Sequence, residues 1–504
     1  MKKLIAIILL QWQISYCQNV EFVESKINYK FSFESLKVKN DANLGFVGIS
    51  ADLFIFEKVP NLYTSIGSYS AITGNRPGLI TLGMGLGYVQ KINKTPLSID
   101  AGIFIGGGGG APDGGGLITR GNLNLMYNFK NTSIFLGYSR LDFPTGDLNG
   151  NNINFGITFN SLFHFGYETN KNNDELFTPK MMDSKNRFTI LGMRYVNHRK
   201  GPFELPNQTK PNNIQLIGLQ FDRFITNNIY GTVKVNGAVT GGIDGYMNLL
   251  VGLGYEQNLI QNKVFLDGQI LAGPSGGGAV DTGGGATLQG SIGLRTNIGK
   301  EFQFKLAYGQ SYAPAGNFKS DYVEIGLSKK FDFINPEKNE NQIFTVTNSD
   351  AIHKFGFEII NRTYFSPNKL DKNNIPYDKN FNLIGFKFTK NLKYNFDIIG
   401  STFWAYQGSY GAYAEGWLGL QYSVPVKDYF KIMPEISFGT AGGGGIDLGS
   451  GLVYQYSLGI SKDINKRFGF SINTGKMSGI NGNFSPILLD LSLRYNFIQI
   501  TKNK

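Results

Sequence analysis

Cysteine occurs once in the 504 residues, at Cys17. A chain cut after that position has no thiol, no disulfide framework and no cysteine-ligated metal. Histidine is nearly as scarce, and His164, His198 and His353 share neither an equivalent position nor a metal-ligand spacing. That leaves no base for a hydrolase and no cofactor or metal site built on imidazole, so the expectation is a non-enzymatic protein. Beyond the N-terminal segment there is no apolar run of the ~18 residues a membrane-spanning helix needs. Charged residues make up only 17% of the chain, and the formal net charge is +11. Lys and Arg are spread through turns and linkers without a block of the nucleic-acid-binding kind, so nucleic acid is not an expected partner and the charge reads as general.

What the chain has in quantity is glycine and aromatics: 66 Gly, 40 Phe and 26 Tyr against 3 Trp. That balance points to an all-β chain with many turns. The N-terminus, "MKKLIAIILLQWQISYCQ", carries Lys2 and Lys3, an apolar stretch from Leu4 to Leu10, and Ser15 and Cys17 around Tyr16. It reads as a secretory signal peptide cleaved before Gln18. Acylation of Cys17 would want a small residue in front of it, and Tyr16 is bulky.

One pattern recurs. "IGGGGGAPDGGGL" at Ile105 to Leu117 returns as "LAGPSGGGAVDTGGGA" at Leu271 to Ala286 and as "FGTAGGGGIDLGSGL" at Phe438 to Leu452. Tyr88, Tyr255 and Tyr422 precede the three copies at a constant step, 255 − 88 = 422 − 255 = 167. The chain is therefore three internal repeats after an export segment. Its expected divisions are a signal peptide at 1–17, repeat 1 at 18–168, a linker at 169–184, repeat 2 at 185–333, a linker at 334–352 and repeat 3 at 353–504.

The middle copy divides into eight segments of period-two alternation, among them "RFTILGMRYV" from Arg187, "KVFLDGQILA" from Lys263 and "EFQFKLAYGQ" from Glu301. Each is ~10 residues, the length of a tilted strand crossing a bilayer. Short polar turns such as "ITNN" and "NIGK" alternate with longer loops such as "GPSGGGAVDTGGG", as in an up-and-down barrel with its long loops outside the cell. One face of the strands is apolar (Val264, Leu266, Ile270). The other carries glycine and charges of both signs, including Lys234, Lys305, Arg295, Asp267 and Glu324. Asp100, Asp267 and Glu435 occupy one inward position in the three copies, where a barrel interior would have to neutralise them.

These features resemble the small eight-stranded outer-membrane β-barrel proteins of Gram-negative bacteria, in three tandem copies, with no named family. The resemblance implies an antiparallel up-and-down barrel fold of ~24 strands, the outer membrane as location and its lipid bilayer as partner. Polar linkers of ~20 residues favour three tandem eight-stranded barrels over one 24-stranded, porin-like barrel. The final strand, "LLDLSLRYNF", ends in an aromatic, as barrel strands read for insertion do, but "IQITKNK" follows it. Asp113, Asp281 and Asp447 are expected to anchor the glycine-rich outward loops to nearby amides, and those loops leave room for a surface ligand or protein. Structural, binding and pore-forming roles all remain open. The competing reading is a secreted or surface-attached soluble all-β repeat protein acting as an adhesin, with the apolar faces turned into cores.

Overall fold

The computed structural model describes residues 18–38, 42–56, 58–109, 114–168, 181–196, 214–261, 263–299, 301–336, 342–346, 352–365, 370–371, 374–377, 380–426 and 430–501. The signal-like segment 1–17 lies outside them. Among the described residues the chain forms 26 strands and one 3-10 turn at Lys393–Asn395. No helix there is long and apolar enough to cross a membrane.

The first eight strands are β1 (Gln18–Leu36), β2 (Leu44–Leu53), β3 (Leu62–Thr73), β4 (Ile80–Lys91), β5 (Leu97–Gly109), β6 (Ile118–Asn128), β7 (Thr132–Asp142) and β8 (Asn149–Glu168). Each pairs antiparallel with the next. β8 then pairs back onto β1, from Val20↔Glu168 to Glu34↔Asn154, and the sheet closes into a barrel.

The same happens over β9 (Met181–Val196), β10 (Gln215–Phe224), β11 (Ile229–Thr240), β12 (Met247–Ile260), β13 (Val264–Gly276), β14 (Ala286–Ile298), β15 (Phe302–Tyr312) and β16 (Lys319–Pro336). There β16 closes on β9. After the short β17 (Gln342–Val346) come β18 (Ile352–Phe365), β19 (Asn380–Asn391), β20 (Phe396–Gln407), β21 (Ala414–Tyr422), β22 (Val424–Val426), β23 (Phe430–Gly442), β24 (Leu452–Asp463), β25 (Phe468–Gly479) and β26 (Ile487–Thr501). β26 closes on β18.

Each run of eight is thus closed on itself. The two strands beyond ~24 have local causes. β22 continues β21 past Ser423 and pairs with β23, while β17 lies in the 334–352 segment and pairs with Gln18–Phe22 of β1. The strands also reach into both segments expected as linkers: β9 begins at Met181 and β16 runs to Pro336.

The alternation has the opposite sense to that of a water-soluble sheet. Along β15 the apolar positions Phe302, Phe304, Leu306 and Tyr308 point out and are exposed, while Gln303, Lys305 and Ser311 point in and are buried. The most exposed aliphatics sit mid-strand: Ile270 is 76% and Ile153 70% accessible. Toward the long-loop end each barrel is instead closed by a buried apolar layer. Phe46, Leu79 and Phe143 belong to the first barrel's, Tyr195, Tyr246 and Phe318 to the second's, and Phe381, Tyr413 and Phe484 to the third's.

Candidate functional site: buried ion pairs and a ring of glycines

The inward acid expected from the repeat is buried in the first two barrels, and in the third Glu435 is half-buried with its carboxylate turned inward. Asp100, on β5, accepts from Lys30 Nζ at 3.0 Å, Tyr63 Oη at 2.7 Å and Asn124 Nδ2 at 2.9 Å. Asp267, on β13, takes Arg295 Nε at 3.2 Å and the Tyr230 hydroxyl at 2.5 Å. Glu435, on β23, takes Lys387 Nζ at 2.7 Å and Gln455 Nε2 at 3.0 Å. The acid keeps its place, but the cation comes from β1, β14 or β19.

Further ion pairs stack above and below it: Arg120 with Glu34 at 2.9 Å, Arg187 with Asp222 at 2.7 Å, Lys305 and Lys234 with Glu324, and Arg362 with both Asp490 and Glu415 at 2.7 Å. Arg187, Lys234, Arg295 and Lys305 have no accessible surface. The lumen at that height is filled by paired side chains, the arrangement in which buried charge is tolerable. Arg187 and Arg362 are central to this layer and sequence reasoning did not single them out. Their signal was a lone arginine on the inward register of a strand.

The glycine segments serve a purpose the sequence reading did not assign. A side-chain carbon built at Gly78 would stand 2.7 Å from the amide nitrogen of Gly277, and one at Gly245 2.8 Å from that of Gly443. One at Gly411 would stand 2.7 Å from both the Gly114 oxygen and the Gly116 nitrogen, and the Gly411 N–H donates to the Gly114 oxygen at 3.1 Å. In each case the loop between the third and fourth strands of one barrel meets the loop between the fifth and sixth strands of another.

A second set follows the same order. A side-chain carbon built at Gly285 would stand 2.6 Å from the carbonyl oxygen of Ala71, one at Gly451 3.2 Å from that of Ala238 and one at Gly116 2.7 Å from that of Ala405. The three alanines are spaced 238 − 71 = 405 − 238 = 167. Gly78, Gly245, Gly285, Gly451 and Gly116 all have φ between +81° and +98°, a region closed to most side chains. Glycine is required here twice over, by backbone conformation and by backbone meeting backbone. The contacts run first barrel to second, second to third and third to first, head to tail, a pattern that closes on itself.

Of the expected loop anchors, Asp281 accepts from Gly283 N at 3.1 Å and from Asn317 N and Nδ2 at 3.2 and 2.8 Å. Asp447 accepts from Gly449 N and Asn483 N, each at 3.3 Å. Asp113 lies outside the described residues. Each described aspartate ties the glycine loop to the next outward loop of its own barrel. Beside Asp447, burial pushes the Tyr377 phenol up. The protonated hydroxyl donates to Asn483 Oδ1 at 3.1 Å while accepting the Asp447 N–H at 3.0 Å.

The short-turn ends are also joined. Val20, Phe22, Ile498 and Ile500 form one apolar cluster, and Gly166 pairs with Ile498. Phe163 meets Phe497 at 6.2 Å between ring centres, Phe165 meets Tyr495 at 6.0 Å and Phe333 meets Phe355 at 6.2 Å. The aromatic end of the last strand therefore packs between barrels. Tyr88, Tyr255 and Tyr422 lie at the same end and are exposed. His164 Nε2 is 2.9 Å from Glu24 Oε2, His353 is on β18, and His198 lies outside the described residues.

No known protein-family profile matches the chain, and no curated protein matches it. Among solved structures it is similar to Pseudomonas aeruginosa OpdQ, at 8% identity over 95% of this chain and 98% of that one, with a TM-score of 0.20. It is also similar to the ferric enterobactin receptor PfeA, at 10% identity over 94% and 82% with a TM-score of 0.27. The siderophore receptor PirA from Acinetobacter baumannii matches at 8% identity over 94% and 81%, also with a TM-score of 0.27. At these scores the likeness carries no argument about how this chain is arranged or what it does.

Proposed function

We propose that the protein is an exported outer-membrane component of three tandem eight-stranded barrels, locked into one ring by the glycine loops and the aromatic strand ends. Its role is non-enzymatic, structural or binding, and its barrels are not open pores. The observation that carries this reading is the inverted alternation: mid-strand aliphatics exposed outside, ion pairs buried inside. Exposed apolar area costs ~25 cal/mol per Å² in water, and monomeric soluble proteins rarely expose contiguous apolar patches above a few hundred Å². Lipid removes that cost. A soluble adhesin would need the same residues turned into a core.

Fractionation of cells expressing the full chain tests the location. The expected result is recovery in the outer membrane and a gel band whose mobility changes on boiling; recovery in the soluble fraction without detergent overturns it. Planar-bilayer recordings test the sealed lumen, with no steady conductance expected from the intact protein.

A further inference from the structure

The excess of positive charge has a direction that the linear sequence conceals. At the short-turn end the turns within the barrels hold nine Lys or Arg and three Asp or Glu, and the two connections between barrels add three and five. Those joining strands at the long-loop end hold nine of each. The net surplus of the connections, 12 − 8 = 4, therefore sits at one end, and within the barrels' own turns it is 9 − 3 = 6.

Lys94, Lys130, Lys263 and Lys466 stand exposed on four different turns, spread over all three barrels. They share the short-turn end with the exposed Tyr88, Tyr127, Tyr255 and Tyr422. Aromatic rings at a strand end mark the level where hydrocarbon gives way to headgroups, and a cation one turn beyond that level stands among phosphates. Lys329 pairs with Glu301 at 2.8 Å and Lys431 with Asp463 at 2.9 Å; Lys329, Lys431 and Asp463 stand on the strands and are not part of that surplus.

We propose that the short-turn end is a binding surface for anionic phospholipid headgroups, with the turn lysines of all three barrels as its phosphate contacts. This rests on the outer-membrane reading, in which that end faces the phospholipid leaflet. The membrane supplies the tyrosines with an apolar-to-polar boundary and the lysines with a counter-charge, each worth ~5-fold in lipid affinity near an anionic surface.

The test uses the full mature chain in detergent, with native mass spectrometry reading how many lipids it keeps. The probes are phosphatidylglycerol and phosphatidylcholine of one acyl composition. The intact protein is expected to keep phosphatidylglycerol at least ~10-fold better. The variant Lys94→Gln, Lys130→Gln, Lys263→Gln, Lys466→Gln is expected to lose that preference. The variant Arg140→Gln, Arg194→Gln, Lys476→Gln, altered on exposed strand positions near the other end, is expected to keep it.

Equal retention of both lipids by the intact protein, or a preference that survives the four turn substitutions, overturns the proposal. Insertion of each variant into pure phosphatidylcholine vesicles, read by the heat-modifiable band, is scored separately. Failure there counts against the membrane reading, and success with no lipid preference counts against this inference alone.

Discussion

The barrel interiors and the glycine ring have treated the repeat differently. In the first barrel Tyr63 sits opposite Gly87 in the ladder, and the missing side chain makes room for the phenol that holds Asp100. The second barrel repeats this with Tyr230, Gly254 and Asp267. In the third both positions have changed together: Asp397 faces Gln421, and Gln421 Oε1 accepts from Lys387 Nζ at 2.9 Å beside Glu435. The ring tolerates almost nothing of the kind. Gly78 and Gly245 recur at the repeat spacing, and their third counterpart, at Gly411 and Ala412, slips by one residue while still placing a glycine at the meeting point. Neutralising a buried carboxylate has several solutions. Backbone packed on backbone at positive φ has one.

If that contrast holds, the largest effect should come from adding side chains to the ring. Gly109, Gly276 and Gly442 each face backbone of another barrel where a Cβ would stand. Changing all three to Val costs ~1–3 kcal/mol per site by overpacking. The expected outcome is separation of the barrels at the long-loop end, read as protease cleavage of the segments between barrels and a lower temperature for loss of the folded gel band. Gly121→Ala and Gly416→Ala, where a Cβ meets nothing within 4 Å, should leave both readouts unchanged.

Removing a buried cation comes next. Arg362→Met strands Asp490, which the guanidinium holds in a bidentate pair at 2.7 and 2.8 Å, while Glu415 loses Nη1 but keeps the Tyr364 and Tyr413 hydroxyls, at a cost of ~3–5 kcal/mol. Lys30→Met strands Asp52 and Asp100, but Asp100 keeps Tyr63 and Asn124 and the loss should be smaller. Urea unfolding in lipid vesicles ranks the two. Equal losses would mean that the neutral partners of Asp100 contribute nothing.

A smaller effect converts one barrel's solution into another's. Gly254→Gln alone drives a side chain into the Tyr230 ring, and adding Tyr230→Asp recreates the third barrel's pair. The double variant should recover part of the loss, with a coupling of ~0.5–3 kcal/mol in a double-mutant cycle. Additivity would show that the two positions changed independently.

How much of this was legible in the sequence follows from the range over which each pattern acts. Alternation is local, so the strands, the inward place of Asp100, Asp267 and Glu435, and the end of the barrel where Tyr88, Tyr255 and Tyr422 lie could be read directly. The partners of those acids could not, because Lys30 and Lys387 reach them across the lumen while Arg295 comes from the adjacent strand, so the contributing strand differs between barrels. The ring was hidden for a related reason. Gly78 and Gly276 lie about two hundred residues apart in the chain, and only the equal spacing of Gly78 with Gly245, and of Ala71, Ala238 and Ala405, offered a clue. The surplus charge needed strand ends sorted by side of the barrel before it acquired a direction.

The finest comparison is between the two described loop anchors. Asp281 accepts three hydrogen bonds, two of them from Asn317, whereas Asp447 accepts two longer ones and its loop has a separate tie through the Tyr377 hydroxyl. A net hydrogen bond is worth ~1 kcal/mol, and at a loop the loss stays local. Asp281→Ala should therefore speed hydrogen exchange at the Asn317 amide more than Asp447→Ala speeds it at Asn483, while global unfolding shifts little in either. Adding Tyr377→Phe to Asp447→Ala removes the second tie and should bring the two loops to the same exchange rate. A third-barrel loop that stayed protected after both changes would locate its anchor in the contacts of Gly443 and Gly451 with the neighbouring strands and loops, making the aspartate incidental to the ring.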